Sequence, residues 1–328
     1  MSLTEIERRG LIPPAVRDAV RRVADRYAVA ATPAVLDLID PTDPRDPIAA
    51  QYVPTVDELV VRPEERVDPI GDDAFSPVEG VVHRHPDRVL LKPLLVCPVY
   101  CRFCFRRESV GPAGGLLSEA ELAAAFDYIR GRPEVREVIL TGGDPLVLSP
   151  RRLRGLVATL GAIPHVQVLR VHTRVPVAAP DRVTDEIAEA LLSDVPTWVV
   201  VHTNHARELT PGADVALERL RTAGLPLLSQ SVLLRGVNDD ADVLEALFRA
   251  LVRRRVKPYY LHHPDLARGT GHFRVSVERG RELMAALRGR ISGLCLPTYV
   301  LDLPGGRGKV PLEGDYSTTA PPWSSISV

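Results

Sequence analysis

The chain has 328 residues, 45% of them apolar and 25% charged, with 41 basic against 42 acidic side chains and a net charge of −1. That composition excludes a disordered chain and leaves ample material for a core, and the balanced charge gives no support to a general nucleic-acid-binding surface. By a prior of about 150 residues per domain the length suits two domains, or one large α/β domain with additions. The N-terminus, MSLTEIERRGLIPP, lacks an apolar h-region, and no run approaches the ~18 apolar residues of a membrane span, so a cytoplasmic protein is expected. Four cysteines are too few for a secreted disulfide scaffold, and three of them fall within eight residues, which reads as a metal site in a reducing compartment. Only three basic residues are lysines, Lys92, Lys257 and Lys309, which leaves three candidates for any Schiff base.

Residues 1–75 read as a helical preface. Residues 15–27 carry apolar positions at helical spacing behind Pro13 and Pro14, and the Pro- and Asp-rich stretch that follows predicts an extended wrap over another surface. From about residue 88 strand-like runs alternate with helical ones. The strands are predicted at 89–96, 135–140, 166–172, 197–201, 226–234, 258–261 and 296–301. Ser118 and Glu121 form a capping-box pattern for a helix to Arg130. Ser149 and Pro150 supply an N-cap and an N1 proline for the next helix, and 239–255 and 276–288 are also helical. Six or seven β/α units predict a parallel sheet with helices outside, in a full or partial (β/α) barrel. Polar clusters stand at the predicted strand ends: Cys97, then TGGDPL at 141–146, His172-Thr173-Arg174, His202 to His205, and His262 to Asp265. On such a barrel they share the C-terminal face, where active residues gather.

Cys97, Cys101 and Cys104 have C-x3-C-x2-C spacing. A short loop can wrap three thiolates around one metal centre at this spacing. A four-iron cluster usually takes four cysteines, so three local ligands leave one iron open. A structural zinc site completed by Cys295 or a histidine is the bland alternative, and Cys295 alone, in LCLPTY, reads as a core cysteine.

This spacing resembles the signature of the radical S-adenosylmethionine (SAM) superfamily, and TGGDPL resembles its Gly-Gly-acidic motif. The wider set, CRFCFRR, TGGDPL, HTR, HTNH, GVNDD, YYLHHPDLARGTGHFR and PTYVLDLPGGRGKVPL, resembles the lysine 2,3-aminomutase family from about residue 50 to 318. The resemblance implies a partial (β/α)6-type radical SAM barrel (76–303) with an N-terminal helical region (1–75) and a C-terminal loop and tail (304–328). It implies a [4Fe-4S] cluster on Cys97, Cys101 and Cys104, with SAM met by the backbone of Gly142, Gly143 and Asp144. It implies pyridoxal 5′-phosphate (PLP) held on Lys309, the lysine of a PGGxGK loop, with Arg84, Arg88 and Gln230 in the PLP pocket. His172, His202 and His205 stand at strand ends where they could line the SAM or PLP pocket, and each also has an ordinary reading as a buried, backbone-bonded imidazole; of the three, His202 is assigned to the cofactor pocket. Arg106 resembles the residue that grips the substrate carboxylate, with Arg107 its rival. Asp265 and Asp302 resemble the pair that binds the distal ammonium of the substrate.

The activity so implied is an isomerase that moves nitrogen from C2 to C3 of L-lysine, giving β-lysine, by way of a 5′-deoxyadenosyl radical. An external electron donor of flavodoxin or ferredoxin type and a homo-oligomer go with it, and neither nucleic acid nor a membrane is an expected partner. Longer members carry a zinc-binding extension. The position matching one of their zinc ligands is Asp240 here, so zinc is not expected. Competing readings are the same family acting on arginine or another cationic amino acid, a PLP-free radical SAM enzyme acting on a macromolecule, and a non-enzymatic zinc module.

Overall fold

The computed structural model describes residues 2–303 and 308–312. Among the described residues nine strands form one sheet in which every strand neighbours the next in sequence: β1 (Val81–His85), β2 (Arg88–Leu94), β3 (Glu137–Gly142), β4 (Val168–Thr173), β5 (Thr197–His202), β6 (Leu227–Val232), β7 (Lys257–His262), β8 (Thr298–Leu303) and β9 (Gly308–Pro311). Strands β2 to β8 are parallel, and β1 and β9 pair antiparallel at the two edges. The predicted seven strands are all present. The two edge strands were not predicted.

Four helices precede the sheet: α1 (Leu3–Arg8), α2 (Arg17–Arg26), α3 (Pro33–Leu36) and α4 (Pro47–Tyr52). Six crossovers join the parallel strands through α5 (Glu119–Arg130), α6 (Pro150–Gly161), α7 (Val175–Ala178) with α8 (Asp185–Glu189), α9 (Pro211–Thr222), α10 (Ala241–Arg253) and α11 (Val277–Arg288). Their starts are chemically marked. Both bonds of the capping box at Ser118 and Glu121 are formed, and Ser149 caps α6 ahead of its N1 proline. Asp240 caps α10, accepting from the backbone N–H groups of Asp242 and Val243. Among the described residues no helix is long and apolar enough to cross a membrane.

Strands β4 and β6 alternate cleanly between two environments. On β4, Leu169 and Val171 are buried while Arg170 and His172 are half-buried. The buried set packs with the outer helices in the main core, which also takes in Cys295. The other set lines a lumen: Lys92, His172, His202, Gln230, His262 and Asp302 are all half-buried. A closed eight-stranded barrel fills its interior with branched apolar layers; here this set is polar and half-buried. The β1 and β9 edges are brought together by side chains. Arg84 on β1 donates to Asp302 on β8 at 2.8 Å, and a Cβ built on Gly308, at φ +72°, would lie 2.6 Å from the His85 ring.

The N-terminal helices have their own small core, which includes Ile6, Val20, Leu36 and Ile48 and reaches Val99 of the cysteine loop and Ala178 of α7. Backbone bonds tie the two together. Tyr100 N–H donates to Ala30 O and Arg102 N–H to Gln51 O, each at 2.9 Å.

Candidate active site at the C-terminal ends of the strands

The cysteine loop leaves β2 and is held from below by the turn after β3. Gly143 N–H donates to Leu94 O at 2.7 Å and Asp144 N–H to Val96 O at 3.0 Å. Gly143 lies so close that a Cβ would stand 2.3 Å from Val96 O and 2.5 Å from Val96 N. The Asp144 carboxylate is fully occupied. It accepts from Thr173 Oγ1 at 2.7 Å and from the N–H groups of Leu146, Arg174 and Val175, and so clamps the end of β4 to that of β3. Burial raises Asp144 against these bonds.

Burial pushes the Cys97 thiol well up, reinforced by Asp144 and the neighbouring thiols. Cys104 is pushed up to about 11, again by burial first and by Cys101 second. Cys101 accepts from Arg174 Nη1 at 2.8 Å. Among the described residues no three His, Cys, Asp or Glu side chains converge as closely as one metal ion requires; in a four-iron cluster each thiolate binds a different iron.

Behind the loop, Glu58 is fully buried and receives both neighbouring arginines. Arg102 Nη2 donates to it at 2.6 Å, and Arg107 bonds it too. Arg107 also donates to Arg102 O and Gly269 O, so its guanidinium is committed inside the protein. Arg106 is placed differently. Its Nη2 donates to Asp72 Oδ2 at 2.7 Å, while its Nε is buried without a partner.

Asp72 also accepts from Arg84 at 3.1 Å, and Arg84 donates on to Ile70 O and Asp302. Asp302 is opposite Lys309 in the β8–β9 register and receives its Nζ at 3.0 Å. Burial alone would raise Asp302, but the Lys309 ammonium and the Arg84 guanidinium outweigh it and hold the carboxyl below the usual range. Asp265 goes the other way. Burial, then the charge of Asp302, raises it to about 7. The two carboxyls thus share one corner of the lumen and are shifted in opposite directions. His262, beside them, is pushed down to about 3 by burial and by Lys309.

The other sequence candidates divide. His202 is paired in register with Gln230 across β5 and β6, and its ring lies 5.6 Å from Phe103. The Nε2 atoms of His202 and His172 are buried with no hydrogen-bond partner, and burial lowers both imidazoles well below their ordinary value. His205 is a backbone cap whose Nδ1 accepts from Arg207 N–H at 3.2 Å. Arg88 begins β2 and donates to Asp87 at 2.8 Å, with its side chain 36% exposed. Residues 304–307, Gly305 and Gly306 of the PGGxGK loop among them, lie outside the described residues. Sequence reading missed Asp72 and the buried set of Arg174, Glu208 and Gln51. Arg174 stood in the HTR segment, but nothing local marked the partners it would find.

Residues 91–248 match the family model described as the radical SAM superfamily, and residues 284–322 match the one described as lysine-2,3-aminomutase. The chain is 44% identical to the L-lysine 2,3-aminomutase of Clostridium subterminale over 91% of its own length and 72% of that protein's. It is 43% identical to that of Acetoanaerobium sticklandii over 93% and 74%. The chain belongs to the lysine 2,3-aminomutase family. These relatives are aminomutases, which are isomerases. The family also includes a glutamate 2,3-aminomutase from Clostridioides difficile, 39% identical over 92% of this chain and 71% of that one. The fold agrees with the superfamily: a radical SAM methyltransferase from Sphaerobacter thermophilus superposes with a TM-score of 0.50 at 20% identity, over 67% of this chain and 68% of that one.

A [4Fe-4S] cluster and SAM go with the radical SAM superfamily, and PLP with the lysine 2,3-aminomutases. The residues present fit that set. Three thiols stand on one loop, and burial of this kind is relieved when metal coordination ionises a thiol. The unpartnered Nε2 atoms of His172 and His202 leave polar atoms ready for a ligand in the lumen. Arg84 and Lys309 lie at the closing edge of the barrel, around one carboxylate.

Proposed function

We propose that the protein converts L-lysine to β-lysine by 1,2-amino migration. One observation carries the choice of lysine: the Lys309 ammonium lies 3.0 Å from Asp302, with Asp265 beside it, so a primary ammonium already occupies the corner where the substrate's distal ammonium would bind. A glutamate substrate would bring a third carboxylate to that corner, which like-charge repulsion and desolvation oppose.

In this reading Cys97, Cys101 and Cys104 hold the cluster, the backbone of Gly142, Gly143 and Asp144 faces SAM, and His202 lines the cofactor pocket. Lys309 carries PLP, with Arg84, Arg88 and Gln230 around it. When bound, these groups supply a carbon-centred radical and a π-system that stabilises the migrating nitrogen's radical. The protein's own part is positional. Arg106 holds the α-carboxylate and Asp265 with Asp302 hold the far end, which fixes lysine C3 along the lumen; small errors in such placement cost large rate factors. The barrel wall and the N-terminal wrap keep water from the reacting carbon. A one-electron donor protein and a homo-oligomeric state complete the proposal.

The test is anaerobic turnover of the iron- and sulfide-reconstituted protein with PLP, SAM, dithionite and L-lysine, the products separated by chiral chromatography. Formation of β-lysine is expected. SAM cleavage without β-lysine would remove lysine as substrate, and arginine and glutamate would be tried next in the same assay.

A further inference from the structure

We propose that Arg174 is a positioning residue that raises the reduction potential of the cluster through Cys101, and that the N-terminal wrap aims it. The proposal rests on the reading of the three cysteines as cluster ligands.

Arg174 Nη1 donates to Cys101 Sγ at 2.8 Å. Its Nη2 donates to Gln51 Oε1 at 2.6 Å and to Glu208 Oε2 at 2.7 Å. Its backbone N–H is fixed by Asp144 at 2.7 Å. The rings of Tyr52 and Phe103 lie 4.6 and 5.3 Å from the guanidinium carbon. Arg174 is 5% exposed, Glu208 2% and Gln51 0%. Glu208 is itself held, accepting from Tyr52 OH and from the N–H groups of Asn204 and His205. Gln51 and Tyr52 both come from α4, so the wrap supplies part of the cage around a cation that touches a cluster thiol.

Reduction of the cluster adds one electron and no proton, so negative charge grows on its sulfurs. A fixed cation donating to one ligand sulfur favours the reduced form, and hydrogen bonds to sulfur are among the levers that set such potentials. Glu208 opposes this with its own charge while orienting the guanidinium. Removing the cation and removing the anion must therefore move the potential in opposite directions, which a purely structural role for either residue does not predict.

The experiment is an EPR-monitored redox titration of the reconstituted full-length chain, with dithionite as titrant, on the wild type and on Arg174→Gln, Arg174→Lys and Glu208→Gln. At the wild-type midpoint, Arg174→Gln is expected to lower the ratio of reduced to oxidised cluster about tenfold, a shift of about 59 mV for one electron. Arg174→Lys should recover part of the loss, and Glu208→Gln should raise the ratio. An unchanged midpoint in iron-replete Arg174→Gln, or a fall in Glu208→Gln, would overturn the proposal. Should Arg174→Gln fail to take up iron, Gln51→Leu carries the same test: a lowered midpoint supports it and an unchanged one overturns it. A wild-type chain that takes up no four-iron cluster would sink the family reading as well, whereas unchanged midpoints in loaded variants sink this inference alone.

Discussion

Asp302 answers to two cations at once, Lys309 at 3.0 Å and Arg84 at 2.8 Å, and its neighbour Asp265 answers to none so directly. Replacing Asp302 with Ala should raise KM for lysine about 30-fold or more, since truncating one partner of a buried charge pair costs ~2 kcal/mol or more. Iron and PLP contents should stay normal, and a KM that barely moves would remove Asp302 from the ammonium site. Asp265, at about 7, is half-protonated at neutral pH, and a bound ammonium favours its ionised form. Below that value a cationic substrate must displace a proton to bind. KM for lysine should therefore fall up to about tenfold per unit as pH rises to about 7, then level off. Steady-state kinetics from pH 6 to 8.5 would show this slope, and Asp265→Asn should abolish it. The same raised value makes the proton on Asp265 stabilising, in full below the ordinary value of 3.8 and decreasingly as pH rises from there through about 7.

At the level of elements, β2 to β8 were readable because apolar strand-like runs stand between helical ones, and crossover helices open on Ser, Thr or Asp caps. Strands β1 (VVHRH) and β9 (GKVP) were not, because they are short and partly polar and owe their pairing to the free backbone that the edges of the parallel sheet offer. The site divides the same way. Cysteine spacing, paired glycines and a lysine on a Gly-rich loop are local patterns. The company of Arg174 is not: Gln51 lies 123 positions away in sequence, and only the docking of α4 brings it in. The choice between Arg106 and Arg107 was open in sequence; buried Glu58 claims Arg107 and leaves Arg106 on the side of Asp72. The turn after β3 makes a sharp prediction. A Cβ at Gly143 would meet Val96 backbone rather than a side chain that could swing aside, so Gly143→Ala must displace the segment leading into Cys97. Iron retained after reconstitution should fall by more than half while far-UV circular dichroism is unchanged. Full iron loading would mean that the loop absorbs the shift.

Taken whole, the barrel is closed by side chains where its two edge strands meet. Arg84, Asp302 and Asp72 have side chains only 7%, 10% and 8% exposed. Arg84→Ala would leave buried carboxylates facing each other, at a cost of about 3–5 kcal/mol. Calorimetry should show Tm lowered by on the order of 5–10 °C, with Arg84→Lys losing less; an unchanged Tm would mean that the seam carries no stability. The strand order has a consequence for how the protein is made. Each strand pairs with the one synthesised just before it, from β1 through β9. A nascent chain can therefore lay down its sheet at one growing margin, and no strand has to thread between two already joined. Lys309 arrives on the last of the described strands. A chain stalled anywhere short of it lacks the lysine proposed to carry PLP, so covalent capture of the coenzyme would report that translation has passed through the whole barrel.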